Sequence, residues 1–276
     1  MPGLLLVEGL PGSGKSTTAY GLARWLAGRG TAAEYWPEGR TDHPADLEQV
    51  ALLTDAERAG LGASHPGWVS LLDRVVEPTD GGWLVRHPQH PDLPADLVDA
   101  LRAYDAYDGP VRPELHARAL LESWRRFGAT PAPAAVQVWE CVLLQNPVCA
   151  FVARFDRPTG ELRRHVAGLV QAVAGLGPAL VYLDPGDPAP VLARAVAERP
   201  ADWARFAIGY HTEQGYGLAR GLHGFDGYVE FMRHRRELEL ALLDDLTLPT
   251  LVVDTGRTSR EESTASIREF ALAHVR

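Results

Sequence analysis

The chain has 276 residues, 46% hydrophobic and 23% charged, the balance of an ordinary globular protein with a sizeable core. Acidic residues outnumber basic ones, 36 against 27, giving a formal charge of −9 with no basic run; this argues against nucleic acid as a partner. Two cysteines, Cys141 and Cys149, are too few for a disulfide scaffold or a cysteine zinc site.

The opening MPGLLLVEGL lacks a charged segment, and its apolar run is too short for a signal-peptide core or a bilayer span, so a cytoplasmic protein without membrane association is expected. Residues 3–8, GLLLVE, read as a buried strand leading into a glycine-rich loop. From Ser16 the pattern turns helical, with Ala19, Leu22, Ala23, Leu26 and Ala27 on one face, ending near Gly28 and Gly30. TAAEYW (31–36) reads as a second strand, stopped by Pro37 and Gly39. Residues 41–130 exceed one crossover and read as an insertion over the sheet, lacking an evident core of its own. Within it, DLEQVALLTDAERAGL reads as helix, VVEPTDGGWLV as a hairpin and 113–127 as a helix. AVQVWE (135–140), ALVYLD (179–184) and TLVVDT (250–255) are three more buried strands, the last two preceded by helical patterns, and helix 261–274 closes the chain. Strands alternating with helices imply an α/β fold with a parallel sheet covered on both faces.

The loop GLPGSGKS matches G-x-x-x-x-G-K-[ST] at Gly9, Gly14, Lys15 and Ser16, after a strand and at the start of a helix, where the motif must sit to bind phosphates. Gly12 and Gly14 permit backbone angles and close approach that a side chain would block. Amides of Gly9, Gly12, Ser13, Gly14, Lys15, Ser16 and Thr17 are the expected phosphate cradle, with the Ser16 hydroxyl as Mg²⁺ ligand. Lys15 is the only lysine in the chain. A compact ammonium fits between the β- and γ-phosphates, whereas a planar guanidinium does not, which accounts for its survival in an arginine-rich composition. An ATP- and Mg²⁺-using protein is therefore expected. No N-K-x-D is present to read guanine, and no L-S-G-G-Q marks a transporter ATPase. Small-molecule and nucleotide kinases remain.

The stretch LLLVEGLPGSGKSTTAYGLARWLAGRG resembles the opening of the thymidylate kinase-like branch of P-loop kinases, within the wider nucleoside monophosphate kinase-like group. ALVYLDPGDPAPVLARAVAERP resembles that branch's fourth strand and arginine-bearing lid, and YVEFMRHRRELELALL with TLVVDT its last long helix and fifth strand. The likeness spans roughly residues 3–36 and 135–275, and only the first motif is strongly specific. It implies a P-loop NTPase three-layer α/β/α sandwich with a five-stranded sheet ordered 2-3-1-4-5, a lid over 186–230, and a homodimer. The departures fall on the acceptor side. Pro11 stands where the family has an acidic residue, EYWPEGRTDHPAD replaces an R-E-P-G-G element, and WECVLLQNP replaces D-R. The acceptor is therefore expected to differ from dTMP.

Phosphoryl transfer needs cations around the phosphates and a carboxylate near the nucleophile. Glu140, ending the third strand, can hold Mg²⁺ through water or accept a hydroxyl proton; its plainer role is pairing with an arginine. Asp184, ending the next strand, can orient metal-bound water or cap the following helix. By the resemblance, Arg194 and Arg199 are the lid cations for catalysis and Arg205 a further donor-side contact. Trp36, Glu38, Arg40, Asp42 and His43, around the end of the second strand, are candidate acceptor contacts, as are Gln145 and Asn146 after the third. The polar, glycine-rich 211–228 reads as a mobile flap or a plain surface loop. The expectation is a kinase acting on a small polar metabolite. The alternatives are a nucleoside or nucleotide kinase with an unusual acceptor site, and a nucleotide-dependent switch whose insertion engages a protein partner.

Overall fold

The computed structural model describes residues 3–275, which divide into two compact units: the chain through Glu38 together with Pro131 onward, and Gly39–Thr130. The first unit begins with strand β1 (Leu4–Gly9), helix α1 (Lys15–Ala27) and β2 (Ala33–Trp36). The second contains β3 (Ala51–Leu53), α2 (Asp55–Ser64), α3 (Val69–Val75), β4 (Val76–Thr79), β5 (Gly82–Val85), α4 (Ala95–Arg102) and α5 (Pro113–Ala129). The first unit then resumes with β6 (Val136–Glu140), α6 (Gln145–Val148), α7 (Thr159–Ala172) and β7 (Pro178–Asp184). It closes with α8 (Pro188–Glu198), α9 (Ala201–Thr212), α10 (Gly215–Ala219), α11 (Gly224–Leu243), β8 (Thr250–Asp254) and α12 (Arg260–His274). No helix among the described residues is long and apolar enough to cross a membrane.

In the first unit the sheet runs β2-β6-β1-β7-β8, every neighbouring pair parallel. Counted within this sheet alone the order is 2-3-1-4-5; the chain-wide numbers differ because the second unit adds three strands. Side chains alternate along each strand, so Leu5 and Val7 of β1 face one way and Glu8 the other. Leu5 and Val7 pack with Val138, Val181 and Leu183 against Leu22 and Leu26 of α1 and Ile267 of α12. Burying each such side chain stabilises by about 1.5–3 kcal/mol. On the opposite face Tyr182, the register partner of Glu8, donates its hydroxyl to Glu239 of α11 at 2.8 Å. The α12 start is set by a capping box between Ser259 and Glu262.

The glycine-rich 211–228 is mostly helical, not a plain surface loop: it holds the end of α9, α10 and the first residues of α11, joined by short connections. A Cβ on Gly217 would come within 2.2 Å of the His211 carbonyl oxygen, so this glycine serves close backbone approach.

The second unit carries its own three-stranded antiparallel sheet, β3-β5-β4. VVEPTDGGWLV forms its hairpin. The segment also holds a core the sequence does not advertise: Leu53, Leu61, Trp68, Leu72, Val85, Leu97 and Leu101 pack together. DLEQVALLTDAERAGL is not one helix. Its first half contains β3, and α2 begins only at Asp55, where Thr54 caps Glu57 N–H and the Glu57 side chain accepts back from Thr54 N–H. That capping box punctuates a run whose apolar spacing alone reads as continuous helix.

Beneath the first unit's sheet, Arg235 and Glu239 form an ion pair at 2.7 Å with side chains only 1% and 0% exposed. Removing one partner strands a buried charge. Arg235→Met should therefore cost about 3–5 kcal/mol in urea unfolding, and the double variant Arg235→Met/Glu239→Leu should recover much of that loss.

Candidate active site

The turn between β1 and α1 enters the helix through Gly14, which has φ 96° and offers no side-chain cap; no acidic residue occupies the first helical turn. The first-turn amides thus have no intrahelical acceptor and no acidic side chain of their own turn to cap them, and the helix dipole adds positive potential there. A Cβ built on Gly14 meets no heavy atom within 4 Å, so the positive φ keeps open space beside those amides. Lys15 is buried and folds back so that Nζ donates to Leu10 O at 3.2 Å, across its own loop. Strand, glycine-rich turn and helix form a P-loop. Ser13 N–H closes the loop on Leu10 O at 3.1 Å, while Ser16 and Thr17 stand exposed at the mouth.

Glu140, the last residue of β6 and 1% exposed, reaches this mouth. It accepts the Ser16 hydroxyl at 3.1 Å on Oε1, the Tyr35 hydroxyl at 3.1 Å on Oε2 and the Glu38 N–H at 3.0 Å. Burial, then the Glu140 charge, raises the Tyr35 phenol above its ordinary range, so it stays a donor. Glu38 itself is exposed. Its carboxylate accepts Gln145 Nε2 at 2.5 Å and the Cys141 thiol at 3.5 Å. Glu38, Glu140 and Cys141 are a group of potential metal ligands whose ligating atoms lie within 4.8 Å of one another. Cys141 has φ 70°, unusual for a residue with a side chain, at the turn where β6 ends. Both cysteines are free, Cys141 buried and Cys149 half-buried.

The structure thus brings Lys15, Ser16, Glu140, Glu38 and Gln145 together. Asn146 is half-buried in α6, its N–H donating to Cys141 O at 3.0 Å, and so belongs to the same turn. Other candidates have different surroundings. Both Asp184 oxygens are held by Arg236, at 2.5 and 2.7 Å, and Oδ1 also accepts Gly186 N–H, so this carboxylate is committed to an ion pair. Burial alone would raise its pKa, but the Arg236 hydrogen bond, the Gly186 N–H and the Arg236 charge outweigh it and hold the pKa below the usual carboxylate range. Asp187, not Asp184, caps α8. Trp36 is buried, and its indole N–H donates to Gln137 Oε1 at 2.7 Å inside the sheet rather than to an acceptor. Of the arginines expected in a lid, Arg194 is exposed on α8, Arg199 lies 4.2 Å from the Trp203 ring centroid, and Arg205 pairs with Asp202 on the exposed side of α9.

Arg40, Asp42 and His43 belong to the second unit. Arg40 pairs with Asp42 through two hydrogen bonds of 2.5 and 2.9 Å. His43 is buried, and its Nδ1 accepts the N–H groups of Ala45 and Asp46 at 3.2 and 2.9 Å; burial, then Arg86, depresses its pKa to about 3. His43 is a neutral turn brace, which the sequence does not reveal because the accepting role depends on burial.

Three site groups escape a reading by motif: Tyr35, Cys141 and Glu8. Glu8 is an acid inside the apolar run LLLVEG, and that incongruity is the one signal available. It is 0% exposed, and burial followed by repulsion from Glu239 raises its pKa to about 7.

No family model and no curated protein matches the chain. Among solved structures, YorR from Bacillus subtilis in complex with phosphorylated GDP is 15% identical, covering 98% of this chain and 95% of its own, with a TM-score of 0.42. Kti12 from Chaetomium thermophilum in complex with ADP-AlF3 is 14% identical, covering 99% of each chain, with a TM-score of 0.43. Likenesses this loose say nothing of activity; the loop and the sheet order of the chain itself define the fold.

The Glu8 shift has a thermodynamic consequence. Its folded pKa of about 7 exceeds the ordinary value of 4.5, so the folded state binds this proton more tightly than the unfolded state. The stability it contributes is complete below pH 4.5 and is lost as pH rises through about 7. Thermal melts between pH 5 and 8 should show a fall in Tm with pH that is shallower in Glu8→Gln.

Proposed function

We propose that the chain is an ATP- and Mg²⁺-dependent phosphotransferase whose acceptor is a small polar metabolite other than dTMP. The observation that carries this reading is the 3.1 Å contact between the Ser16 hydroxyl and Glu140, at the open end of a loop whose lysine is already folded inward. A P-loop hydroxyl beside a strand-end carboxylate is the pair that holds Mg²⁺ in proteins of this loop type. The residues fit the group. Gly14 leaves space for a phosphate, the α1 amides supply donors, and Ser16 and Glu140 offer hard oxygen ligands. The ion, when bound, supplies neutralisation of charge developing on the transferring phosphoryl group.

Lys15 and the loop amides hold the triphosphate. Glu140, already tied to Ser16 and Tyr35, is assigned to the metal side. Glu38 is exposed yet steered by Gln145 and Cys141, which suits it to accept a proton from an acceptor hydroxyl. Arg199 and Arg194 are assigned as lid cations that approach the phosphates when the lid closes, with Arg205 beside them on the donor side. A nucleoside or nucleotide acceptor is one version of this scheme.

A second reading is favoured by one observation: residues 39–130 form a unit with its own sheet and core, as a partner-engaging module would. The protein would then be a nucleotide-dependent switch. Incubation with γ-labelled ATP and a metabolite panel separates the two. The kinase reading expects label on a small molecule, with Lys15→Ala lowering transfer about 100-fold or more. Release of free phosphate alone, unaffected by any metabolite, would favour the switch.

A further inference from the structure

The acceptor-side segment after β6 is anchored from beneath by Glu8, to which the proposed phosphotransferase scheme gives no role. Both carboxylate oxygens of Glu8 accept backbone N–H groups of that segment: Leu143 at 2.7 Å on Oε1 and Gln145 at 3.2 Å on Oε2. Leu144 is the N-cap of α6, which has no side-chain cap of its own and continues directly into a π-helical stretch, Cys149–Arg154. Glu8 therefore caps this helical segment from the neighbouring strand. The same residue, Gln145, that gives Glu8 its N–H gives Glu38 its side-chain amide at 2.5 Å.

We propose that Glu8 is a positioning residue: its buried carboxylate clamps the backbone of residues 143–145 and so fixes the Gln145 amide on Glu38, letting one proton beneath the site govern the placement of the acceptor-side carboxylate. The inference rests on the kinase reading for its functional meaning, but the clamp stands or falls separately.

The chemistry explains why a proton matters. An ionised carboxylate only accepts hydrogen bonds, and two oxygens suffice for the amides aimed at them. Protonation turns one oxygen into a donor facing an N–H, and that bond is lost. The charged groups around Glu8 set where this happens. Glu239, itself paired with Arg235, acts on it from α11, Tyr182 stands beside it on β7 with its hydroxyl on Glu239, and Cys141 lies within electrostatic range after β6. Burial and the Glu239 charge favour the protonated form, the amides favour the ionised one, and the balance lies at about 7. The clamp thus closes above neutral pH and opens below it.

The test is a pH titration of the ¹⁵N-labelled, nucleotide-free protein from pH 5.5 to 8.5 by NMR. The amide resonances of Leu143 and Gln145 and the side-chain amide of Gln145 should move with one shared midpoint near 7, and these movements should vanish in Glu8→Gln. Should that variant fail to fold, Glu239→Gln serves: losing the like charge should shift the shared midpoint to lower pH. Backbone and side-chain signals of Gln145 that stay still, or that titrate identically in Glu8→Gln, overturn the proposal. Where label transfer is found, Glu8→Gln should lower it and flatten its pH profile while leaving ATP affinity unchanged; a parallel loss of ATP affinity would contradict a positioning role. Because the NMR titration needs neither nucleotide nor acceptor, it decides the matter of the clamp even if the protein transfers no phosphate.

Discussion

The contact between Ser16 and Glu140 holds the site together. It joins residues 124 positions apart, and it forms only because β6 lies directly beside β1 in the sheet. That adjacency sets the strand-end carboxylate against the first helical turn of the loop. Tyr35 and the Glu38 backbone, at the end of β2, then close around the same carboxylate. One buried acid thereby ties three sequence-distant segments into one mouth.

On the proposed phosphotransferase reading, the arrangement separates two jobs. Donor-side groups, Lys15 and the α1 amides, are built into the loop itself and are held by backbone geometry. The groups proposed for the acceptor side are held by hydrogen bonds to side chains: Glu38 by Gln145 and Cys141, and the Gln145 backbone by Glu8 below it. Backbone geometry is rigid and general, whereas side-chain chains of this kind are tunable. A network of the Arg235–Glu239 ion pair and the neutral Tyr182 hydroxyl lies under the same strands, in a region of low dielectric where each member strongly affects the others.

Much of the first unit was legible because its physics is local. The apolar runs of β1, β6, β7 and β8 are short and bounded, and the G-x-x-x-x-G-K-S spacing fixes loop, helix start and hydroxyl together. The place of Glu140 beside the loop was legible from its position at a strand end. What the sequence hides is what neighbouring elements do to a side chain. Asp184 has the look of a metal ligand, yet Arg236, on α11, takes both its oxygens. Trp36 reads in the sequence as a candidate acceptor contact, yet it is buried and Gln137 takes its N–H. The glycines of 211–228 signal mobility by composition, but Gly217 is there because a carbonyl leaves no room for a Cβ. Likewise the core of residues 39–130 is assembled from short helices and strands whose apolar positions do not form one periodic pattern. The break between β3 and α2 turns on the Thr54–Glu57 capping box, which only the fold makes decisive.

Calorimetric titration of the purified chain with ATP, with and without Mg²⁺, puts the joined loop and carboxylate to their sharpest test. One saturable site is expected, with an affinity that rises when the ion is supplied and a metal dependence that is weakened in Ser16→Ala. No detectable affinity for any nucleoside triphosphate with Mg²⁺ present would contradict a phosphate- and metal-holding role for this mouth.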